Sequence, residues 1–509
     1  MNQVNQIKAG AILSYATILL SVVAGLLYTP WMVRQIGISD YGLYALTGAF
    51  LSYFLMDFGL GSAIARFLAV ARAEGDTTQT SHLLGITLRL SLILDGVIFL
   101  SIAVCYLFLE DIFGELTAAE LVKFKTIYLI AGLFSIITFP FTPLSGALIA
   151  YEQFVPLKLL DLIQRVVTVL LLIIVLLAGY RLYALVFVTG LTGFSVTLCK
   201  YIYLIKKMGL TINLHSFNRF KAREMLSFSF WVFLIGIAQR LLLNIVPTLL
   251  GILSGTREIA LFSIAMTIEA YTWSIANALN GLFIPQVARM SECETAKEDI
   301  TNLMIRVGRL QLLVSGFILT GFIVFGKAFI LLWMGSAFET SYYVALFLIL
   351  PGFITLTQEI AYTLLFVVNE LKYRAVLFIG ASLVSLGIGI WLAPRFGAIG
   401  AATGVGVALL LCHIIGMNVV YSRILGLGIR RFFTSCHQPM LAPMLIAGTV
   451  SLLIQYLFPI QGWVAFILSG SLFTALFFLF MWYGPMNLEE KTLLVKLVKR
   501  LSLQTGQQQ

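Results

Sequence analysis

The sequence predicts an all-α polytopic membrane protein: about fourteen transmembrane helices, in two pseudo-symmetric six-helix lobes plus two C-terminal helices. Three observations predict it. Apolar residues make up 60% of the chain and charged residues 11%, against about 25% charged in a soluble domain. Mean hydropathy is +0.99. The ionisable residues sit in short gaps between long apolar runs, and their signs are sorted by gap.

A span needs about 20 apolar residues. In chain order the runs fall near 9–33, 41–67, 84–109, 119–149, 153–178, 182–205 and 225–252. They continue near 259–287, 307–334, 341–368, 373–393, 396–421, 435–458 and 462–484. Hydropathy is almost continuous over 119–178 and 373–421, where gaps between spans are shortest. The polar start Met1–Lys8 precedes a run too long for a signal h-region, so the chain is expected to keep its N-terminus.

An even number of spans puts both termini on one face. If that face is cytoplasmic, it carries 25 of the 33 Lys and Arg residues and the opposite face carries 7 (Arg34, Lys123, Lys125, Arg181, Arg257, Lys327 and Arg395). The positive-inside rule therefore gives cytoplasmic termini. Basic loops against an anionic leaflet account for the net charge of +10 without nucleic acid. The expected divisions are an N-terminal lobe (1–205), a basic cytoplasmic linker (206–224), a C-terminal lobe (225–421), spans thirteen and fourteen (422–484) and a cytoplasmic tail (485–509). Within that tail, Leu493, Leu494, Leu497 and Leu501 share one helical face and Lys491, Lys496 and Lys499 lie on or beside the other, the pattern of an interfacial helix.

The lobes rest on an internal repeat. Gly37-Ile38-Ser39-Asp40-Tyr41-Gly42-Leu43-Tyr44 after span one is echoed by Leu253–Phe262 after span seven, a polar turn followed by a bulky–small–Leu–aromatic run. Each following span ends in Ala-Arg-bulky, at Ala65-Arg66-Phe67 and Ala288-Arg289-Met290. Six spans separate the units, so they enter the membrane in the same direction and the repeat is parallel.

Ionisable groups deep in a span are costly and point by default to a cavity or a partner. They are Asp57 (span two), Asp95 (three), Asp161 and Arg165 (five), Arg240 (seven), Glu269 (eight) and Glu359 (ten), with Asn244, Asn277, Asn280 and Gln358 nearby. The candidate substrate-binding set is Arg240, Asp57, Asp95, Arg165, Glu269 and Glu359. Arg240 suits a phosphate, which a guanidinium grips through two parallel hydrogen bonds; a salt bridge to Glu269 or Asp57 is the structural alternative. Asp161 and Arg165, four apart on a helix, are placed to neutralise each other. Asp57 before Phe58-Gly59-Leu60-Gly61 is placed to cap a glycine-broken helix.

The five cysteines are scattered without a CxxC and the four histidines are isolated, so no metal site and no disulfide framework is expected. Gly321–Ala328 approaches a P-loop, but Ala328 stands where the magnesium-binding Ser or Thr belongs. With no loop long enough for a catalytic domain, the chain is expected to be no enzyme and to need no cofactor. Work across the membrane is the function left, and a non-transporting membrane scaffold would leave the mid-span charges without a purpose.

The stretch Arg34-Gln35-Ile36-Gly37-Ile38-Ser39-Asp40-Tyr41-Gly42-Leu43-Tyr44, with Asp57-Phe58-Gly59-Leu60-Gly61 and Ala65-Arg66-Phe67, resembles the opening of bacterial polysaccharide (O-antigen-type) flippases. These belong to the multidrug/oligosaccharidyl-lipid/polysaccharide exporter superfamily. Phe325-Gly326-Lys327 through Leu332-Trp333-Met334-Gly335 is similar to the same family's region after span nine. The resemblance implies two six-helix lobes around a cavity and export of an undecaprenyl-diphosphate-linked oligosaccharide for surface polysaccharide, including lipopolysaccharide O-antigen. It also implies alternating access coupled to a proton or cation gradient or the membrane potential, and as partners a polysaccharide polymerase and a chain-length regulator. A cation-coupled multidrug exporter of the same superfamily is the alternative, with Asp57, Asp95, Glu269 and Glu359 as its carboxylates.

Overall fold

A computed structural model describes residues 3–54, 58–214, 218–276, 283–291, 296–368 and 370–492. Among them every regular element is helical. Eleven helical segments are long and apolar enough to cross a membrane. The segment Leu371–Arg423 is two spans turned at Gly397, whose φ of 54° breaks the helix after Pro394. Span two is broken into the shorter helices Ile38–Leu51 and Leu60–Ala73, and of span eight the helices Thr256–Ala276 and Ile284–Met290 are described. Counted this way, the expected fourteen spans are accounted for.

The near-continuous stretch at 119–178 resolves as expected. Span four runs as Ala118–Thr138, a 3-10 turn Phe139–Leu144 and a short helix Ser145–Ala150; span five is Phe154–Leu177. The break in span two falls where Asp57-Phe58-Gly59 predicts it. Phe58 and Gly59 both have positive φ (50° and 75°), a conformation that ends one helix before Leu60 starts the next. Asp57 itself, with Asn277, Asn280, most of the tail and His215, lies outside the described residues.

Many hydroxyls inside spans donate to a carbonyl of their own helix. Thr47 donates to the Leu43 carbonyl (2.8 Å), Thr87 to Leu83 (2.9 Å) and Ser91 to Thr87 (2.9 Å). In hydrocarbon no water is available, so a polar side chain finds a carbonyl one turn back or costs several kcal/mol. Large apolar side chains such as Leu27, Leu107, Leu177 and Val464 are more than 70% exposed, the reverse of a soluble core and the expectation for lipid-facing surface.

By packing, the chain divides into two units, Met1–Ser263 with Ser382–Gly404, and Ile264–Ala381 with Val405–Gln509. In the first, Leu60, Ile64 and Leu68 of span two bury against Leu83 and Leu84 of span three (Thr77–Leu107), Leu144 and Ala147 of span four and Met225 of span seven (Arg219–Leu243). In the second, span nine (Ala296–Trp333) receives span fourteen (Gly462–Tyr483), with Phe317 stacked on Phe473 at 5.4 Å.

Arg309 of span nine is the best-held charge of the second unit. Its Nε and one Nη donate to the two carboxylate oxygens of Glu490 (2.6 and 3.0 Å), and further N–H groups donate to the carbonyls of Ser435 (2.9 Å) and Pro485 (2.6 Å). Both side chains are buried. Sequence alone counted Arg309 among the loop charges; the structure makes it the anchor that ties the segment after span fourteen to span nine.

Candidate functional site

The two turns of the internal repeat meet on the face that carries few positive charges. Gly37 and Gly255 occupy equivalent positions, each four residues before the bulky–small–Leu–aromatic run, and both have positive φ (91° and 86°). Each turn delivers a hydroxyl to the same carboxylate oxygen. Ser39 donates to Glu120 Oε1 through a short hydrogen bond, and Thr256 donates to it at 2.6 Å. The other oxygen of Glu120 accepts from the Thr117 backbone N–H (3.0 Å) and hydroxyl (2.9 Å), completing the capping box of span four.

This contact demands a glycine. A Cβ on Gly42 would lie 2.1 Å from the Thr256 carbonyl oxygen, so any side chain there forces the two turns apart. The neighbouring acids extend the closure. Asp40 accepts from Lys123 at 2.6 Å, and its repeat counterpart Glu258 accepts from the Ala398 N–H at 2.8 Å. Ser254 donates to the Ala393 carbonyl at 3.0 Å. The charge-poor ends of spans one, two, four, seven, eight, eleven and twelve are thus joined in one polar belt.

Behind that belt, the same helix of span two that starts beside Ser39 lines a cavity of about 470 Å³ in the first unit. Spans four, five and six (Leu182–Ile202) complete it. The lining is hydroxyl, amide and aromatic: Tyr44, Thr138, Thr142, Gln164, Thr189 and Phe134 among others, with Gly190 admitting the close approach of Phe134 of span four. Among the described residues no charged side chain lines it. That chemistry, hydrogen-bonding groups beside aromatic faces, suits a neutral polyhydroxyl ligand.

The mid-span charges lie elsewhere. Arg240, half-buried, donates a short hydrogen bond to the carbonyl of Ser52, the residue that closes the helix Ile38–Leu51, and the Asn244 amide donates to the Ser52 hydroxyl (3.4 Å). A guanidinium at a helix C-terminus opposes the −0.5 end of its dipole, so Arg240 also supports the break in span two. Asp161 binds Lys200 (2.6 Å) and Lys158 (3.7 Å) rather than Arg165, which corrects the expected i,i+4 neutralisation. Arg165 Nε and one Asp95 oxygen are buried without a hydrogen-bond partner among the described residues.

In the second unit Glu269 is half-buried on Thr256–Ala276. Glu359 opens the helix Glu359–Val367 and interacts electrostatically with Arg374, a residue that sequence alone placed in a loop. Arg374 in turn lies over the Tyr362 ring at 3.8 Å and Phe378 at 5.0 Å. The Gln358 amide donates to Asn418 Oδ1 at 2.8 Å. Sequence reasoning missed Glu120 and the hydroxyl cavity. The Thr117-x-x-Glu120 capping box and the spacing of Ser135, Thr138 and Thr142 were the available signals.

A family model described as "Polysaccharide biosynthesis protein" matches residues 7–291, more than half of the chain. The chain belongs to this family. An uncharacterized membrane protein, EpsK, of Bacillus subtilis (strain 168) is 22% identical over 493 residues, covering 94% of this chain and 95% of that one. Among solved structures, the lipid II flippase MurJ in an inward closed conformation has a TM-score of 0.68 at 13% identity, covering 93% of this chain and 97% of that one. An inward-facing multidrug resistance MATE family transporter has a TM-score of 0.67 at 14% identity, covering 82% and 98%. The fold is that of the exporter superfamily that the opening residues resemble. The chain is a multi-pass membrane protein of a polysaccharide biosynthesis family.

Proposed function

We propose that this protein moves an undecaprenyl-diphosphate-linked oligosaccharide from the cytoplasmic to the outer leaflet of the bacterial cytoplasmic membrane, for surface polysaccharide. The observation that carries the reading is the cavity of about 470 Å³, lined by hydroxyls, an amide and aromatic rings and, among the described residues, by no charge. A sugar chain finds hydrogen bonds and ring faces there, whereas a cationic drug would find no carboxylate. The basic face is cytoplasmic and both termini lie on it; the belt around Glu120 then closes the outer face, and transport alternates by opening one face while the other is shut.

An inside-negative potential favours outward movement of an anion by about 2.3 kcal/mol per charge per 100 mV, which gives the diphosphate a driving force without a soluble cofactor. Asp57, Asp95, Arg165, Arg240, Glu269 and Glu359 act along the headgroup's path or in coupling, and a polymerase and a chain-length regulator take up the product.

A deletion strain tests the reading. Surface polysaccharide is expected to fall below a tenth of wild type with drug susceptibility unchanged. Unchanged polysaccharide with raised drug susceptibility would establish the multidrug exporter instead. Arg240→Ala at matched expression is expected to lower surface polysaccharide several-fold; full retention removes Arg240 from the path.

A further inference from the structure

The basic end of the first unit holds a second cleft, of about 450 Å³, unlike the cavity in having charged lining. Arg66, near the end of span two, and Arg223, in the first turns of span seven, both line it, together with Ser227, Phe220 and Phe228. The two segments are fixed by packing: Leu68 and Ala71 of span two bury in one cluster with Ala222 and Met225 of span seven. Arg66 lies over the Phe228 ring at 4.9 Å, which holds the guanidinium plane by stacking while leaving its N–H edge available.

Among the described residues, neither Arg66 nor Arg223 has a carboxylate partner, unlike three lysines at this end. Lys200 and Lys158 hold Asp161, and Lys221 holds Glu224 at 3.6 Å. Among the described residues Glu224 is the one acid lining the cleft, so that ion pair offsets the negative charge that would otherwise oppose an anion. Phe220 is 75% exposed at the rim, an aromatic side chain placed for the boundary between headgroups and acyl chains.

We propose that Arg66 and Arg223 form a docking site for the diphosphate headgroup of a polyprenyl lipid at the basic face, with Phe220 and Phe228 against the first part of its chain. Two guanidinium forks in one cleft match the two phosphates of a diphosphate better than the single phosphate of a bulk phospholipid. The inference rests on the lipid-linked substrate proposed above and adds where that substrate is first held, at the basic face rather than in the uncharged cavity.

The test uses the full chain in phosphatidylcholine nanodiscs, titrated with undecaprenyl diphosphate, inorganic pyrophosphate or phosphatidylglycerol. Undecaprenyl diphosphate is expected to bind with an affinity that falls as salt rises. Arg66→Gln and Arg223→Gln are each expected to weaken it about 10-fold, and the Lys variants less, because a point charge keeps the attraction and loses the fork. Pyrophosphate is expected to compete only weakly, since it lacks the chain. A double Gln variant with wild-type melting and wild-type affinity overturns the site. Displacement by a few mole per cent of phosphatidylglycerol overturns the diphosphate assignment. Flipping of labelled lipid-linked oligosaccharide in proteoliposomes separates the two readings. Wild-type flipping with Arg-independent binding removes only the docking site. Arg-dependent binding without flipping supports the site and removes the transport function.

Discussion

The two ends of the first unit treat charge in opposite ways. At the charge-poor end, Glu120 spends both oxygens on Ser39, Thr256 and Thr117, and Gly42 brings two backbones into contact. At the basic end, Arg66 and Arg223 face a cleft of about 450 Å³ with no carboxylate partner among the described residues. A charge whose partners are built in holds structure; a charge whose partners are absent is poised for something that arrives. Burying an ionised group with nothing to pair it costs several kcal/mol, so an unpaired guanidinium persists only where water or a ligand reaches it.

Arg309 sets the scale of this comparison, being an arginine fully held by its own chain. Arg309→Ala leaves Glu490 buried and unpaired and is expected to destabilise the protein by about 3–5 kcal/mol, read as a large drop in melting temperature in detergent. If melting is unchanged, the rule that separates structural from ligand-facing arginines fails at its clearest case.

Next in size is Glu120→Ala, which removes a cap worth about 1 kcal/mol and charge-assisted hydrogen bonds worth about 1.5–3 kcal/mol each. The outer belt is expected to loosen. A cysteine at Tyr41, buried beside the belt, is then expected to react about tenfold faster with a membrane-impermeant thiol reagent, with Glu120→Gln intermediate because it keeps one acceptor. An unchanged rate would mean that packing around Gly42 holds the face without the carboxylate.

The comparison sharpens further in variants expected to leave stability alone. Arg66→Gln with Arg223→Gln should melt like wild type while surface polysaccharide falls about tenfold. A smaller effect is expected in the cavity, where Thr138→Val with Gln164→Leu should raise the substrate concentration needed for half-maximal flipping several-fold without changing melting. Loss of stability in either pair would assign those residues to the scaffold.

How much of this was legible in sequence follows from the range of the forces involved. Hydropathy is local, so span number, the break beside Phe58-Gly59 and the repeat turns could be read from neighbours in the chain. Equivalent glycines at 37 and 255 with positive φ now give the repeat a backbone signature. Partners are not local. Arg309 and Arg374 look like loop charges until Glu490 and Glu359 reach them from distant segments, and nothing near Glu120 announces Ser39 or Thr256. Uncharged lining gives no such signal: the cavity is built from threonines, tyrosine and glutamine, residues too common in membrane helices to stand out.

The most direct test is flipping by the purified wild-type chain. Proteoliposomes loaded with a fluorescent undecaprenyl-diphosphate oligosaccharide are placed under a membrane potential with the basic face inside negative. The expected result is transfer of label to the opposite leaflet, measured by an impermeant quencher, at least tenfold faster than in protein-free vesicles and slowed by Arg66→Gln with Arg223→Gln. Transfer no faster than in protein-free vesicles, with potential applied and the protein folded, would contradict the proposed function.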